Sequence, residues 1–178
     1  MPFDDKKIKE KLKKLVNLLD KVPAIVGQEA ENFYKDRFHE QGWRDKNLVR
    51  WKPKKNPDGY PILRSKNPSG LADTIIWEKI DNNSILLTAG DARKPYARIH
   101  NEGGIITIPL TKRMRSYFWS MYYKSKGDER DMWKNMALSR KSQFRVIMPK
   151  RQYMGQSEAL ESIIINDITN HIKKIIND

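Results

Sequence analysis

The stretch PYARIHNEGGIITIP, from Pro95 to Pro109, decides the predicted fold. Its glycine pair, Gly103 and Gly104, permits positive-φ backbone conformations that other residues resist, so the sequence predicts a turn there. The isoleucines at 105, 106 and 108 form the β-branched run typical of a strand, which Pro109 ends. We therefore predict a strand near 96–100, a glycine turn, and a second strand near 105–108.

A second stretch, MPKRQYMGQSE from Met148 to Glu158, follows forty residues later. It predicts the end of a strand over 144–148, a basic turn, and a helix that begins at Ser157, a favoured N-cap residue. Acidic residues occupy the first turns of this helix and lysines its last turn, as the helix dipole favours. Its apolar stripe is continuous: Leu160, Ile163, Ile164, Ile168, Ile172, Ile175 and Ile176.

The N-terminal region, 1–42, predicts two helices separated by Pro23, with Gly42 as the residue that ends the second. Apolar residues at helical spacing mark the first helix: Ile8, Leu12, Leu15, Leu19 and Val22, with Val16 and Leu18 widening the stripe. These stripes could pack on a core or contact a membrane, and we favour packing.

Segment 43–73 has many proline and glycine residues and predicts a long loop. Trp43, Trp51 and Tyr60 within it could stack on single-stranded bases, or they could fix the loop to its own core or to a neighbouring subunit, which we favour. Residues 74–80 and 84–89 then predict a hairpin. With 74–109 and 144–155 forming the sheet, we expect an α+β fold, in which an antiparallel sheet of about four or five strands is flanked by the two N-terminal helices and the long C-terminal helix, 156–178.

Segment 110–143 interrupts that sheet and predicts a helical insertion rich in Met, aromatic and basic residues. It could fold onto the core, order on contact with a partner, or bind nucleic acid. Methionine and aromatic residues suit adaptable protein contacts, so we favour a subunit or partner contact.

Composition argues against several classes of function. The net charge is +13, there are no cysteines, and the charged fraction is 32%. The histidines, His39, His100 and His171, have no metal-ligand spacing, and the carboxylates are scattered. No P-loop, dinucleotide-binding or nucleophile-elbow motif is present. We therefore predict no enzyme activity, no metal and no cofactor, with no membrane association.

Nucleic-acid binding is the alternative function, because the charge concentrates in segments 43–66 and 110–151. Residues 110–151 alone contain 12 Lys or Arg against 3 Asp or Glu. A basic surface of this kind could instead guide protein assembly or line a channel.

Several short motifs occur in a characteristic order: Tyr96, Ala97, Ile99, His100 and Asn101 before Gly103 and Gly104, then Ile108-Pro109, then Pro149, Arg151, Tyr153, Met154, Gly155 and Ser157. Upstream lie Trp43, Trp51, Leu63, Ser69, Gly70, Leu71 and Ile75. Together they resemble the phage virion morphogenesis family, which includes Mu-like and P2-like tail completion proteins. Glu102 departs from the family pattern, in which an aromatic or apolar residue is expected there.

The resemblance implies a single virion-assembly domain that completes the tail or joins it to the head as a ring of subunits. The implied partners are other copies of itself and phage neck or tail proteins, with non-specific contact to packaged DNA. The expected location is the virion, after assembly in the bacterial cytoplasm.

The sequence predicts roles for two sets of residues, one in contacts with partners and one in holding the fold. Those expected to contact subunits or partners are Trp119, Met121, Tyr122, Trp133, Arg113, Arg115, Arg140 and Lys141. Those expected to hold the fold are Tyr96, His100, Gly103, Gly104 and Gly155.

Overall fold

A computed structural model describes residues 5–54, 59–64, 70–91 and 95–177. The chain divides into two compact units. The larger unit comprises Met1–Glu102 and Lys150–Asp178, and the smaller unit comprises Gly103–Pro149.

The larger unit begins with one long helix, α1 (Asp5–Glu40), where two helices were predicted. Pro23 lies inside α1 and is buried on the same face as Gly27 and Ala30. Proline opposes a helix interior because it lacks an N–H and its ring crowds the preceding turn. Burial of the face that carries it overrides that local preference, so the predicted break is wrong.

The predicted end of this helix is also corrected. Gln41, with φ of 55°, has the left-handed conformation, and Gly42 instead begins strand β1 (Gly42–Arg44). A Cβ on Gly42 would lie 2.7 Å from the carbonyl oxygen of Val49, in strand β2 (Leu48–Arg50). Gly42 therefore permits close pairing of β1 with β2.

Two short hairpins belong to this unit. β1 and β2 pair antiparallel within the segment predicted as loop, of which residues 55–58 and 65–69 lie outside the described residues. After a 3-10 turn at Ala72–Thr74, β3 (Ile76–Lys79) pairs antiparallel with β4 (Ile85–Thr88), as predicted for the second hairpin.

The strand predicted near 96–100 is wrong, because this segment forms helix α2 (Ala97–Glu102). A helix places Ala97 and Asn101, four residues apart, on one face, and both bond to Tyr153. An extended strand would separate them. The predicted sheet of four or five strands is not confirmed, since the described residues form three two-stranded sheets.

The C-terminal helix α5 (Glu158–Asn177) is confirmed. It packs antiparallel along α1, with Lys11 Nζ of α1 donating to the Ile176 carbonyl near its C-terminal end. The core of the unit joins the C-terminal half of α1 to the start of α5 through Phe38, Trp51, Ile75, Tyr153 and Leu160. By contrast, most of the apolar stripe predicted for the first helix is exposed: Ile8, Leu12, Val16 and Leu19.

The smaller unit is a two-stranded ribbon with a helical hairpin between its strands. β5 (Gly104–Pro109) pairs antiparallel with β6 (Gln143–Met148), and both strands were predicted. Between them, α3 (Lys112–Lys124) and α4 (Gly127–Leu138) pack on each other. The segment predicted as a helical insertion is therefore helical.

Candidate assembly surface

The irregular segment 151–157 is held by side chains that bond to its main chain. Trp51 Nε1 donates to the Gln152 carbonyl at 2.8 Å, and Tyr34 Oη donates to the Gly155 carbonyl at 2.8 Å. Buried backbone groups outside helices and strands need partners of this kind. The aromatic residues Tyr34 and Trp51 thus act in the fold through their polar ends as well as through their rings.

Asn101 and Tyr153 join α2 to the same segment. Asn101 Oδ1 accepts from the backbone N–H groups of Tyr153 and Met154 at 2.9 and 3.0 Å, and its Nδ2 donates to the Met154 carbonyl at 3.1 Å. Tyr153 Oη donates to the Ala97 carbonyl at 3.0 Å. Burial, and secondly the electrostatic effect of Tyr96, raises the pKa of Tyr153 to about 12. The phenol therefore stays protonated and can donate this hydrogen bond.

Asn101 and Tyr153 were not among the predicted fold-holding residues. The available signal was their position inside the two quoted motifs, where Asn101 follows His100 and Tyr153 lies two residues before Gly155.

The predicted residues His100 and Tyr96 lie next to this network. Their rings meet edge to face at 5.6 Å, and the His100 carbonyl accepts from Arg151 N at 2.7 Å. Burial, and secondly the charge of Arg151, lowers the pKa of His100. Arg151 itself donates from Nε and Nη2 to the Lys52 carbonyl, both at 3.3 Å, which gives this cation a structural contact.

The prediction that three glycines hold the fold depends on their backbone conformation. Gly103, Gly104 and Gly155 have φ of 75°, 146° and 149°, where side chains other than glycine are strained. A Cβ on Gly155 would also lie 2.8 Å from Gln152 Nε2. Glu102 pairs with Arg98 at 3.0 Å on the surface of α2, where a charged residue is accommodated.

The smaller unit has a compact aromatic core. Phe118 is buried, stacks on Trp133 with centroids 5.8 Å apart, and approaches Phe144 at 6.1 Å. Trp133 was predicted to contact a partner, but the structure places it half-buried against this core.

Another face of α3 carries a group of aromatic residues that we call the aromatic cluster: Trp119, Tyr122 and Tyr123. Trp119 lies 5.5 Å from Tyr122 and 6.4 Å from Tyr123, and Tyr123 is 76% exposed. Arg130 of α4 lies over the Tyr122 ring at 4.5 Å and donates to its hydroxyl at 3.1 Å. Tyr123 was missed, although its four-residue spacing from Trp119 indicates the shared face. Arg130 was also missed, and because it lies on α4 no helical spacing from Trp119 could have found it.

The basic residues predicted in this unit divide into two groups. Arg115 donates to the carbonyls of Ala137, Ser139 and Lys141 at 2.8, 2.5 and 3.1 Å, so it caps the end of α4 and the turn after it. These bonds draw the start of α3 towards residues 139–141. Four exposed side chains thereby lie in one neighbourhood, called the basic patch: Lys112, Arg113, Arg140 and Lys141. Met121 is half-buried in α3.

A scan against protein-family models matches residues 3–173 to the phage virion morphogenesis family. The chain belongs to the phage virion morphogenesis family. The resemblance inferred from the sequence motifs is confirmed, and it extends beyond the motifs to nearly the full length. Membership indicates a structural or assembly role in a phage virion, in association with other virion proteins.

A search of curated proteins found no match, and neither did a search of solved structures. Within the described ranges of this family member, no three His, Asp or Glu side chains are grouped as metal ligands would be. In the same ranges, no helix has the length and apolar character needed to cross a membrane.

Proposed function

We propose that the protein is a non-enzymatic assembly component that completes the phage tail or joins it to the head as a ring of subunits. Its partners are other copies of itself and neck or tail proteins, and it resides in the virion after assembly in the host cytoplasm. The aromatic cluster and the basic patch make the subunit and partner contacts. Tyr96, His100, Gly103, Gly104 and Gly155 hold the fold that presents them.

One observation carries this proposal. The smaller unit buries Phe118 against Trp133 and Phe144 to form its own core, yet it leaves Tyr123 76% exposed beside the half-buried Trp119. Large aromatic residues with a nearby arginine are enriched at the centres of protein interfaces. Arg130 beside Tyr122 supplies that arginine.

A phage genome that encodes Tyr123→Asp tests the contact. Because this side chain is exposed, the variant should fold normally, while a carboxylate placed in an apolar interface should reduce the yield of infectious particles at least about tenfold. Circular dichroism of the purified variant and immunoblotting of purified particles separate loss of folding from loss of incorporation.

Leu138→Asp is the matched control, since Leu138 is 58% exposed on α4 and lies outside the aromatic cluster. It should leave particle yield unchanged. Normal yield and normal incorporation of Tyr123→Asp would contradict the proposed contact.

A nucleic-acid-binding module is the second candidate function, favoured by the basic patch. Its exposed cations project from the start of α3 and the turn after α4, where they could contact phosphates. Segment 43–66, the other basic segment, supports this function less well, because two of its arginines already contact the protein. Arg44 pairs with Glu40 at 2.9 Å, and Arg50 donates to the Glu40 carbonyl.

Titration of the purified chain with single-stranded and duplex DNA across salt concentrations distinguishes the two functions. The assembly function predicts weak, non-specific binding, with Kd of about 10⁻⁴ to 10⁻⁶ M at physiological salt. Arg113→Glu with Arg140→Glu should weaken it further. Much tighter binding that discriminates between DNA forms would favour the nucleic-acid module instead.

A further inference from the structure

The β5–β6 ribbon has one fully exposed face. Side chains alternate between the two faces of a strand, and Phe144 lies on the face that contacts Phe118 in the core of the smaller unit. The opposite face carries six residues, all of them exposed: Ile105, Thr107, Pro109, Gln143, Arg145 and Ile147. Ile147 is 77% exposed and Ile105 is 50% exposed. Because they are directly opposite each other in the register, these isoleucines form an apolar pair at the surface.

The residues of this face also direct their main-chain groups outwards, at the two edges of the ribbon. The N–H of Leu110 donates to the Ser142 carbonyl at 2.8 Å, one step beyond the last pair of the β5–β6 register. In antiparallel strands, pairs that exchange hydrogen bonds alternate with pairs whose N–H and C=O groups point outwards. Since the Leu110 pair is a bonded one, the outward groups belong to the six residues of the exposed face.

These edges have little protection against pairing with another strand. Proteins commonly cover an edge strand or place lysines, prolines or bulges along it. Among the twelve residues of β5 and β6, the charged residue is Arg145 and the proline is Pro109, at the end of β5. Within the parts of the chain that the structure describes, no third strand pairs with the ribbon. A two-stranded ribbon gains stability from a further strand, so the edges fit an extended partner.

Arg145 and Pro109 decide which strand fits best. Three outward-facing residues on each edge can exchange six hydrogen bonds with another such edge. Pairing β6 with β6 of a second copy over its full length would place Arg145 opposite the same residue, and like charges directly opposite destabilise a sheet. Pairing β5 with β5 would lose two of the six bonds, because Pro109 has no N–H in either copy.

Pairing β6 with β5 of a second copy avoids both problems. It loses one of the six bonds, at Pro109, and it places Arg145 opposite the uncharged Thr107. Ile147 then lies opposite Ile105 of the second copy, as it does within the ribbon. The ribbon carries one of the charges of a chain whose net charge is +13, so copies that meet here bring few like charges together.

We propose that β6 pairs antiparallel with β5 of a second copy, so that the ribbons of successive subunits form one continuous sheet. The contact joins two different surfaces, and contacts of this kind generate a ring when the rotation between subunits closes. In a closed ring, this single contact pairs both edges of every ribbon. The inference rests on the proposed ring function, to which it adds a defined subunit contact.

Disulfide formation between two variants tests this register, because the parent chain has no cysteine. Ile105→Cys and Ile147→Cys are made in separate full-length chains that carry tags of different mass, and the chains are mixed in equal amounts and oxidised. Directly opposite residues of neighbouring strands lie within the Cα separation that a disulfide needs. The mixed disulfide should therefore exceed either homodimer at least about fivefold.

Asn170→Cys is the control for random collision, since Asn170 is exposed on α5, outside the ribbon. Mixed with the Ile105→Cys chain, it should give no preference for the mixed disulfide. Adding Arg145→Pro to the Ile147→Cys chain removes an outward N–H, which an edge strand tolerates, and should abolish the preference. Arg145→Gln removes the same charge but keeps the N–H, and it should retain the preference. Circular dichroism checks that each variant is folded.

Two results would overturn the proposal. The first is a mixed disulfide between the Ile105→Cys and Ile147→Cys chains no more abundant than that with Asn170→Cys. The second is preferred pairing of Gln143→Cys with Ile147→Cys, which would assign the edge to a two-fold β6–β6 contact. These disulfides report on the purified chain, whereas the particle yield of Tyr123→Asp reports on the proposed function, so the two proposals can fail separately.

Discussion

The two units use aromatic residues in different ways. In the larger unit, Trp51, Tyr34 and Tyr153 bury their rings and donate from their polar atoms to main-chain carbonyls. In the smaller unit, Trp119, Tyr122 and Tyr123 of α3 contact one another, and Tyr123 is largely exposed. A buried aromatic with a bonded polar end is part of the architecture, whereas an exposed aromatic such as Tyr123 is available to a partner.

This difference predicts that substitutions in the two units lower stability to different extents. Tyr153→Ala should have the largest effect. Removing a fully buried ring from the core should lower the free energy of unfolding by about 4 kcal/mol. Denaturant titration followed by tryptophan fluorescence measures it. Tyr153→Phe, which removes only the hydroxyl bond to Ala97, should cost about 1 kcal/mol. Equal losses for the two variants would show that the bond matters more than the ring.

Phe118→Ala should have the next largest effect, about 3 kcal/mol, because Phe118 is buried against two aromatic rings. Hydrogen exchange should accelerate in residues 103–149 more than in 150–177. Uniform acceleration across the whole chain would mean that the two units unfold together.

Gly104→Val should destabilise the protein by about 2 kcal/mol, since φ of 146° strains a β-branched residue. The melting temperature is the measurement. Ile105→Val, an exposed neighbour on the same strand, is the control and should change little. An unchanged melting temperature for Gly104→Val would remove the turn from the set of fold-holding features.

The smallest effect should be a dependence of stability on pH through His100. Burial and the nearby Arg151 lower the pKa of His100 in the folded chain, so the unfolded chain binds the proton more readily. This contribution is complete above the unfolded pKa of about 6.5 and is lost as pH falls below it towards the lower folded value. Denaturation midpoints at pH 7.5 and 5.5 measure the loss.

His100→Gln should reduce that pH dependence. His171→Gln is the control, since the His171 side chain is 43% exposed on α5. A variant of His100 with the same pH dependence as the parent chain would assign the effect to other groups.

The failed sequence predictions have a common physical origin. Pro23 and the segment 96–100 were assigned from local preferences, and both were overridden by contacts distant in sequence. Pro23 lies on a buried helix face, and the helical form of 97–102 lets Ala97 and Asn101 reach Tyr153. The partner contact of Trp133 and Arg115, inferred because basic and aromatic residues suit interfaces, stays a prediction. Only their neighbours showed that Trp133 packs on Phe118 and that Arg115 caps α4.

The sequence by itself determined the features that depend on nearby residues. These are the positive φ at Gly103 and Gly104, strands β5 and β6, helix α5, and membership in the phage virion morphogenesis family. Each follows from local stereochemistry, periodicity or an ordered set of motifs.

Tertiary structure alone decided which aromatic and basic side chains contact other parts of the chain, and which apolar helix faces stay exposed. The helix stripe of Ile8, Leu12, Val16 and Leu19 has the same periodicity as a core stripe. Periodicity gives the direction in which side chains point, but burial depends on what another part of the chain, or another protein, places against them.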